Sequence, residues 1–253
     1  WIDRGPDSPA VVREMLARGV PLVPGNHDSK FARWYAGNPV HVGADLAATI
    51  AQFEAAPDGA ELMAAYAEAV RQAPAWLVLG RTVLVHAGFD RRMLSLPAPS
   101  LTDRKGVPRG LMEIALYGET DGSTDDLGRK LRTYDWLDQI PDGVRVVIGH
   151  DVRSTRAPVS RTGRLGGELV NLDTGLDRGG PLSTLDIPAD AILDAPAAHA
   201  VDPAPAEPLL TVLVGPSGAG KSTWVAANAD PDSVVSSDGI RRELYDDFRE
   251  QGD

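Results

Sequence analysis

Apolar residues along the chain follow two rhythms. Helical spacing appears first after Ser8-Pro9, which read as a cap and a first-turn proline opening a helix over Ala10–Ala17, with Gly19 as its stop. Residues 43–72 are alanine-rich, with Phe53, Leu62, Tyr66 and Val70 at helical intervals, and Pro57-Asp58-Gly59 divides them into two helices. A further helix is predicted over Pro108–Leu116, inside an otherwise loop-rich stretch from 95 to 130. Short apolar or β-branched runs predict strands at Val20–Val23, Trp76–Leu79, Thr82–Val85, Arg145–Ile148, Glu168–Leu172 and Leu182–Leu185. The first of these runs into a loop, Pro24-Gly25-Asn26-His27-Asp28, and the second and third pair around Gly80-Arg81. Pro188–Pro208 is rich in proline and alanine and reads as an extended linker. Beyond it Leu209–Val214 is a fresh strand, followed by a glycine-rich turn and a helix. The pattern therefore predicts an α/β chain in three parts: a domain over 1–187, a linker over 188–208 and the start of a second domain over 209–253.

Composition narrows the class. With 43% hydrophobic and 24% charged residues, wholesale disorder is excluded. There is no cysteine, which removes disulfides, thiolate metal sites and a thiol nucleophile, and fits a reducing cytoplasm, the expected location. The longest apolar runs fall far short of the ~18 residues of a membrane span. A formal charge of −11 argues against non-specific coating of nucleic acid, so any such substrate must be gripped locally. The chain opens on Trp1 and stops just after an amphipathic run, and it is read as an internal fragment of a longer protein.

Candidate chemistry collects after the predicted strands. Asn26-His27, His86 and His150 each follow a short apolar run, and a neutral imidazole and an amide oxygen can share a divalent cation with carboxylates. His41 and His199 read as solvated or structural. Asp3-Arg4 alone would be a surface ion pair, and Gly25-Asn26 alone a turn.

Trp1-Ile2-Asp3-Arg4-Gly5, Gly25-Asn26-His27-Asp28, Val85-His86-Ala87-Gly88 and Ile148-Gly149-His150 stand in the order found in the calcineurin-like phosphoprotein-phosphatase superfamily, which residues 1–187 resemble. Leu116-Tyr117-Gly118-Glu119-Thr120-Asp121-Gly122, Arg132, Trp136 and Asn171-Leu172-Asp173-Thr174-Gly175 bring the resemblance closer to the phosphatase domain of bacterial polynucleotide kinase-phosphatase and its diadenosine-tetraphosphatase-like relatives. The resemblance implies a metallophosphatase β-sandwich flanked by helices. It also implies two divalent metals, most often manganese, bridged by an aspartate and by a hydroxide that attacks phosphorus in line. On the matching positions, Asn26, His86 and His150 would ligate one metal. His27 would act as general acid with Asp3 orienting it, and Arg4 would clamp the phosphate. Arg132 and Asp173 match positions near the site, with a structural role equally open. The family's Asp-x-His motif and its bridging aspartate are not in the sequence. Weak metal binding and little hydrolysis are therefore expected of residues 1–253 alone.

Gly215-Pro216-Ser217-Gly218-Ala219-Gly220-Lys221-Ser222 fits the phosphate-binding loop pattern between a strand and a helix. Gly215, Ser217, Gly218, Ala219, Gly220, Lys221, Ser222 and Thr223 form the nucleotide-binding set, with ATP and Mg²⁺ as ligands. Lys221 would reach the β/γ-phosphates and Ser222 the magnesium. Asp238, after the strand Val234-Val235-Ser236-Ser237, and Arg241 resemble the polynucleotide-kinase residues that activate the acceptor hydroxyl and hold an acceptor phosphate. Asp238 is equally placed to cap a helix over Gly239–Asp247, and the two roles are compatible. Three readings follow. The first is a phosphatase joined to a polynucleotide-type kinase for healing RNA or DNA ends. The second is a phosphoprotein or dinucleoside-tetraphosphate phosphatase with an appended ATPase, and the third a regulatory module without catalysis. No membrane partner is expected, and the sequence leaves oligomeric state open.

Overall fold

The computed structural model describes residues 1–108, 110–124 and 130–187, all within the first of the two units into which the chain divides, Trp1–Val201. Helices α1 (Ser8–Arg18), α2 (Asn26–Tyr35), α3 (Ala44–Ala55) and α4 (Gly59–Gln72) are followed by strands β1 (Trp76–Leu79) and β2 (Thr82–Val85). Helix α5 (Leu111–Tyr117) and strands β3 (Arg145–Ile148), β4 (Val159–Thr162) and β5 (Glu168–Asn171) complete the unit. Short 3₁₀ turns lie at Arg91–Leu94, Asp135–Gln139 and Leu176–Arg178. The expected α/β class holds, and the described strands form one five-stranded sheet, ordered β1-β2-β3-β5-β4, where a sandwich has two sheets. No described helix is long and apolar enough to cross a membrane.

The order of the sheet decides where the chemistry sits. β2, β3 and β5 are mutually parallel, whereas β1 and β4 flank them antiparallel. The C-terminal ends of the three central strands therefore share one edge of the sheet, and ligand sites of open α/β sheets form outside that edge. The sheet's core is built from Trp76, Val83, Phe89, Trp136, Ile140 and Val146, all essentially inaccessible. A second core lies among the helices, where α4 packs against α1, α2 and α3. Its centre is aromatic: the Phe31 ring lies 5.6 Å from both Phe53 and Tyr66 and 5.7 Å from Trp34. Such tilted pairs add to the burial of the rings themselves.

Several elements depart from the pattern-based reading. Val20–Val23 is not a strand, because Pro21 and Pro24 lack the N–H that a ladder requires, and Leu22 is buried in the helical core instead. Asn26-His27-Asp28 is not a loop but the first turn of α2. Leu182–Leu185 is not a strand, since the hydroxyl of Thr174 donates to the Pro181 carbonyl at 2.5 Å and contacts Ser183 Oγ at 3.0 Å, while Leu182 is 77% exposed. The cap of α1 is Asp7, which accepts from Ala10 N at 3.0 Å, rather than Ser8. α5 starts only after Gly110, whose φ of 92° is left-handed. The strand β4 escaped notice because only Val159 in Val-Ser-Arg-Thr is apolar, as suits an exposed edge. The linker and everything predicted over 209–253 lie outside the described residues.

One glycine contact fastens the loop after β2. A Cβ on Gly88 would stand 2.9 Å from Gly118 Cα, and Ala87 N donates to Ala115 O at 2.9 Å, so this loop lies directly on the end of α5. Because α2 carries both Phe31 and the Asn26-His27 pair, the helical core also holds up the site. Phe31→Ala is expected to destabilise the fold by about 3–5 kcal/mol, as large-to-small changes at a fully buried aromatic do, and urea denaturation of the variant checks it.

Candidate active site

Each chemical residue is placed by a specific piece of backbone. His86 directly follows β2, Gly149-His150 follows β3, and Asp173 lies two residues beyond β5, so parallel pairing brings all three to one edge. Asn26 and His27 come from the N-terminus of α2. That turn is locked by Asp28, whose carboxylate folds back to accept from Gly25 N at 2.7 Å and also accepts from the Tyr66 hydroxyl at 2.6 Å. The Trp1 nitrogen also donates to Asp28, at 3.2 Å.

Asn26 Oδ1, His86 Nε2 and His150 Nδ1 converge. His86 Nε2 lies 2.9 Å from Asn26 Oδ1 and 3.0 Å from His150 Nδ1, and His150 Nδ1 lies 3.2 Å from Asn26 Oδ1. The two rings meet edge-on, with centroids 4.9 Å apart. Burial, with the neighbouring His150 adding to it, pushes His86 down to about 3, and burial with the adjacent Arg132 pushes His150 down to about 4. Both rings are thus neutral near pH 7, the form that ligates a metal. All three donor atoms lie within 3.2 Å of one another, close enough to share one divalent cation. The donors fit a cation. Among the described residues no group gathers three or more His, Asp or Glu side chains, so the amide of Asn26 is what completes this set.

Beside the trio stands a histidine–carboxylate pair. His27 Nδ1 lies 2.5 Å from Asp3 Oδ2, and Thr49 Oγ1 donates to Asp3 Oδ1 at 2.6 Å. Burial would raise the Asp3 carboxyl, but the bonds from His27 and Thr49 outweigh it and keep it below the usual carboxylate value. With Nδ1 engaged, Nε2 is the His27 nitrogen available to a ligand. Arg4 sits on the rim, bonded through Nε to Asp45 at 3.3 Å and through Nη1 to Asp177 at 3.1 Å. Arg132 reaches the trio itself: Nη2 lies 3.1 Å from His150 Nε2, while its buried Nε has no hydrogen-bond partner among the described residues. Asp173 holds the following turn, accepting from Gly175 N at 3.0 Å. These residues line one cleft of about 540 Å³, with Lys130, Arg153 and Arg178 as further cations in its wall.

The backbone is strained where the chemistry is. Asp3, Arg4 and His150 are the non-glycine residues with positive φ among those described, at 71°, 60° and 69°. Gly5 N donates to Asp3 O at 2.7 Å and Asp151 N to Gly149 O at 2.8 Å, so Arg4 and His150 each stand at the centre of a three-residue γ-turn. Left-handed φ at such residues costs about 1–3 kcal/mol each and persists only where the surroundings impose it.

All the residues expected in the first domain's site are therefore gathered here. Asp238, Arg241 and the loop Gly215–Thr223 lie outside the described residues. Pattern reading missed Thr49 and Tyr66, whose positions on α3 and α4 look like ordinary helix-interior positions. It also missed Asp28, quoted within its motif but given no task, and Asp151, Arg153 and Tyr134. Arg153 pairs with Asp151 at 2.6 Å and stands 5.0 Å over the Tyr134 ring, whose hydroxyl donates to Asp151 at 2.8 Å. Tyr134 is pushed up to about 12, chiefly by burial, so it stays a donor.

A parallel-centred sheet with imidazole, amide and guanidinium groups at its C-terminal edge is the arrangement of a calcineurin-like metallophosphoesterase. The chain is 31% identical over 205 residues to the asymmetrical bis(5'-nucleosyl)-tetraphosphatase PrpE of Geobacillus thermodenitrificans, covering 77% of this chain and 75% of that protein. It is 32% identical over 194 residues to PrpE of Bacillus velezensis, covering 74% and 71%, and 29% identical over 208 residues to PrpE of Bacillus subtilis, covering 79% and 78%. The chain belongs to the family of these PrpE phosphatases. A family model described as an AAA domain matches residues 210–253, the stretch holding the phosphate-binding loop.

A Cβ on Gly25 would stand 2.7–3.0 Å from three atoms of the His86 ring, so only glycine lets that ring pass beneath the start of α2. Gly25→Ala is expected to push the ring out of the trio and weaken divalent-metal binding by about 10–100-fold, the loss typical when a ligand's support is disturbed; calorimetric titration with Mn²⁺ reads it.

Proposed function

We propose that the first domain hydrolyses a dinucleoside tetraphosphate asymmetrically, at an outer anhydride bond, giving a nucleoside monophosphate and a triphosphate. The observation that carries this is the single cleft in which the metal-type trio, the His27–Asp3 pair and the guanidinium of Arg132, with its unpartnered Nε, meet. The names of the relatives favour this substrate over nucleic-acid ends. The end-healing reading rests on the motifs at Lys221, Asp238 and Arg241, and the resemblance to polynucleotide kinase-phosphatase on motifs alone.

Asn26, His86 and His150 would hold a divalent cation, manganese by the family's habit. That ion supplies positive charge to phosphoryl oxygens and a nucleophile from water at neutral pH. The rest of the work falls to this chain's own side chains. Arg132, with its unpartnered Nε, and Arg4 would fix the phosphoryl group against the trio, each offering a planar fork of donors. The water oxygen bonds to phosphorus as the P–O bond to the leaving arm breaks, and the electron pair departs with that oxygen. His27 would give it a proton from Nε2, passing from imidazolium to neutral imidazole, while Asp3, held by Thr49, keeps the ring oriented through Nδ1. Asp173 would shape the turn that closes this side of the cleft. The P-loop segment would bind ATP with Mg²⁺ through Lys221 and Ser222, making the protein a phosphatase with an appended nucleotide-binding domain.

The test is turnover of diadenosine tetraphosphate by the intact protein with Mn²⁺, products resolved by chromatography. AMP and ATP in equal amounts are expected, with complete loss on chelation and recovery on adding Mn²⁺ back. Equal cleavage into two ADP, or turnover that survives chelation, would refute the proposal. His27→Ala is expected to lower kcat by about 10²–10⁴-fold, the span of general-acid contributions, with the metal still bound.

A further inference from the structure

A second cavity, of about 460 Å³, opens against the first and shares Arg132 and Arg153 with it. The volume is that of a ligand pocket. Its floor is rigid. Val159 pairs with Asn171 and Arg161 with Leu169 across β4 and β5, and directly opposed residues two apart share one face, so all four look into the same space. Tyr134 and Leu137 form the facing wall.

The charges of this cavity continue those of the cleft. Arg132 touches His150 of the trio at 3.1 Å, and Arg153 Nη2 donates to the Arg132 carbonyl at 3.3 Å. Arg161 follows on the edge strand, exposed and with no ion-pair partner among the described residues. Of the carboxylates nearby, Asp151 is held by Arg153 and Tyr134, and Asp138 pairs with Arg164 at 2.9 Å. Asp135 stands exposed at the rim. Guanidinium groups thus lead away from the trio toward a floor of Val159 and Asn171, with Leu169 buried beneath it.

We propose that this second cavity receives the longer arm of the substrate. The triphosphate runs along Arg132, Arg153 and Arg161, and the distal nucleoside rests on the β4–β5 floor. The inference deepens the asymmetric reading above and rests on it. An off-centre cut needs one short arm and one long arm held differently, and a cationic track that leads from the trio into a second cavity provides that distinction. Arg161 is a specificity-determining residue in this scheme and takes no part in the chemistry.

The experiment uses the intact protein carrying Lys221→Ala, so that the P-loop does not contribute nucleotide binding. In this background Arg161→Glu, and separately Val159→Trp to fill the cavity, are compared for diadenosine tetraphosphate and p-nitrophenyl phosphate. The ratio of kcat/KM for the tetraphosphate to that for the small ester is expected to fall by about tenfold or more in each, the loss of one charge-assisted phosphate contact or of the seat beneath the nucleoside. Inhibition by ATP should weaken alongside, and inhibition by AMP should not. An unchanged ratio, or ATP and AMP weakening equally, overturns the subsite. A parent protein that turns over p-nitrophenyl phosphate but not the tetraphosphate overturns the substrate reading itself.

Discussion

The site depends on one buried carboxylate. Asp28 is acceptor to Gly25 N–H and to the Tyr66 hydroxyl at once, and so ties the first turn of α2 to the middle of α4. Removing such an acceptor would leave two buried donors unsatisfied, at about 1–3 kcal/mol each. It would also free the turn that aims Asn26 at His86 and His27 at Asp3. The aromatic core around Phe31 and the Asp28–Gly25 bond therefore serve a single end: they convert helix packing into the position of two short polar side chains.

The other half of the site is fixed by strand direction. Because β2, β3 and β5 run the same way, His86, His150 and Asp173, far apart in the sequence, reach one edge side by side. In a chain whose net charge is −11, the cleft they bound gathers Arg4, Lys130, Arg132, Arg153 and Arg178 in its wall beside Asp3, Asp28, Asp151 and Asp173. Acidity elsewhere keeps anions from lodging at random on the surface, while the guanidinium groups gathered in the cleft offer a polyphosphate local partners.

Much of this was legible in the residues. Helices over 8–18 and 44–72 showed their period, and Trp76–Leu79, Thr82–Val85 and Arg145–Ile148 stood out as apolar runs, because buried central strands and amphipathic helices must carry that mark. The convergence of Asn26, His86 and His150 was expected from motif order, not from spacing, since nothing local in a chain says which distant loops meet. What escaped was set by tertiary context. Val159–Thr162 is a strand only because β5 offers it an edge, and Val20–Val23 fails as one because two prolines deny it a ladder. Thr49 and Tyr66 look like routine helix positions, and their hydroxyls gain meaning only from the carboxylates of Asp3 and Asp28 across the packing interface. Asn26-His27-Asp28 suggested a loop because Gly25 resembles a turn residue; its part as a helix start appears only once Asp28 is seen folding back on it.

The γ-turns at Arg4 and His150 set stability against function at those two positions. Glycine would relax the left-handed backbone there at no steric cost, so thermal selection blind to turnover would drift toward it. Each such gain would delete a guanidinium or an imidazole from the cleft. Libraries built to harden this scaffold must therefore hold those two codons constant, although by conformational criteria alone they are the first that a stabilising search would rewrite.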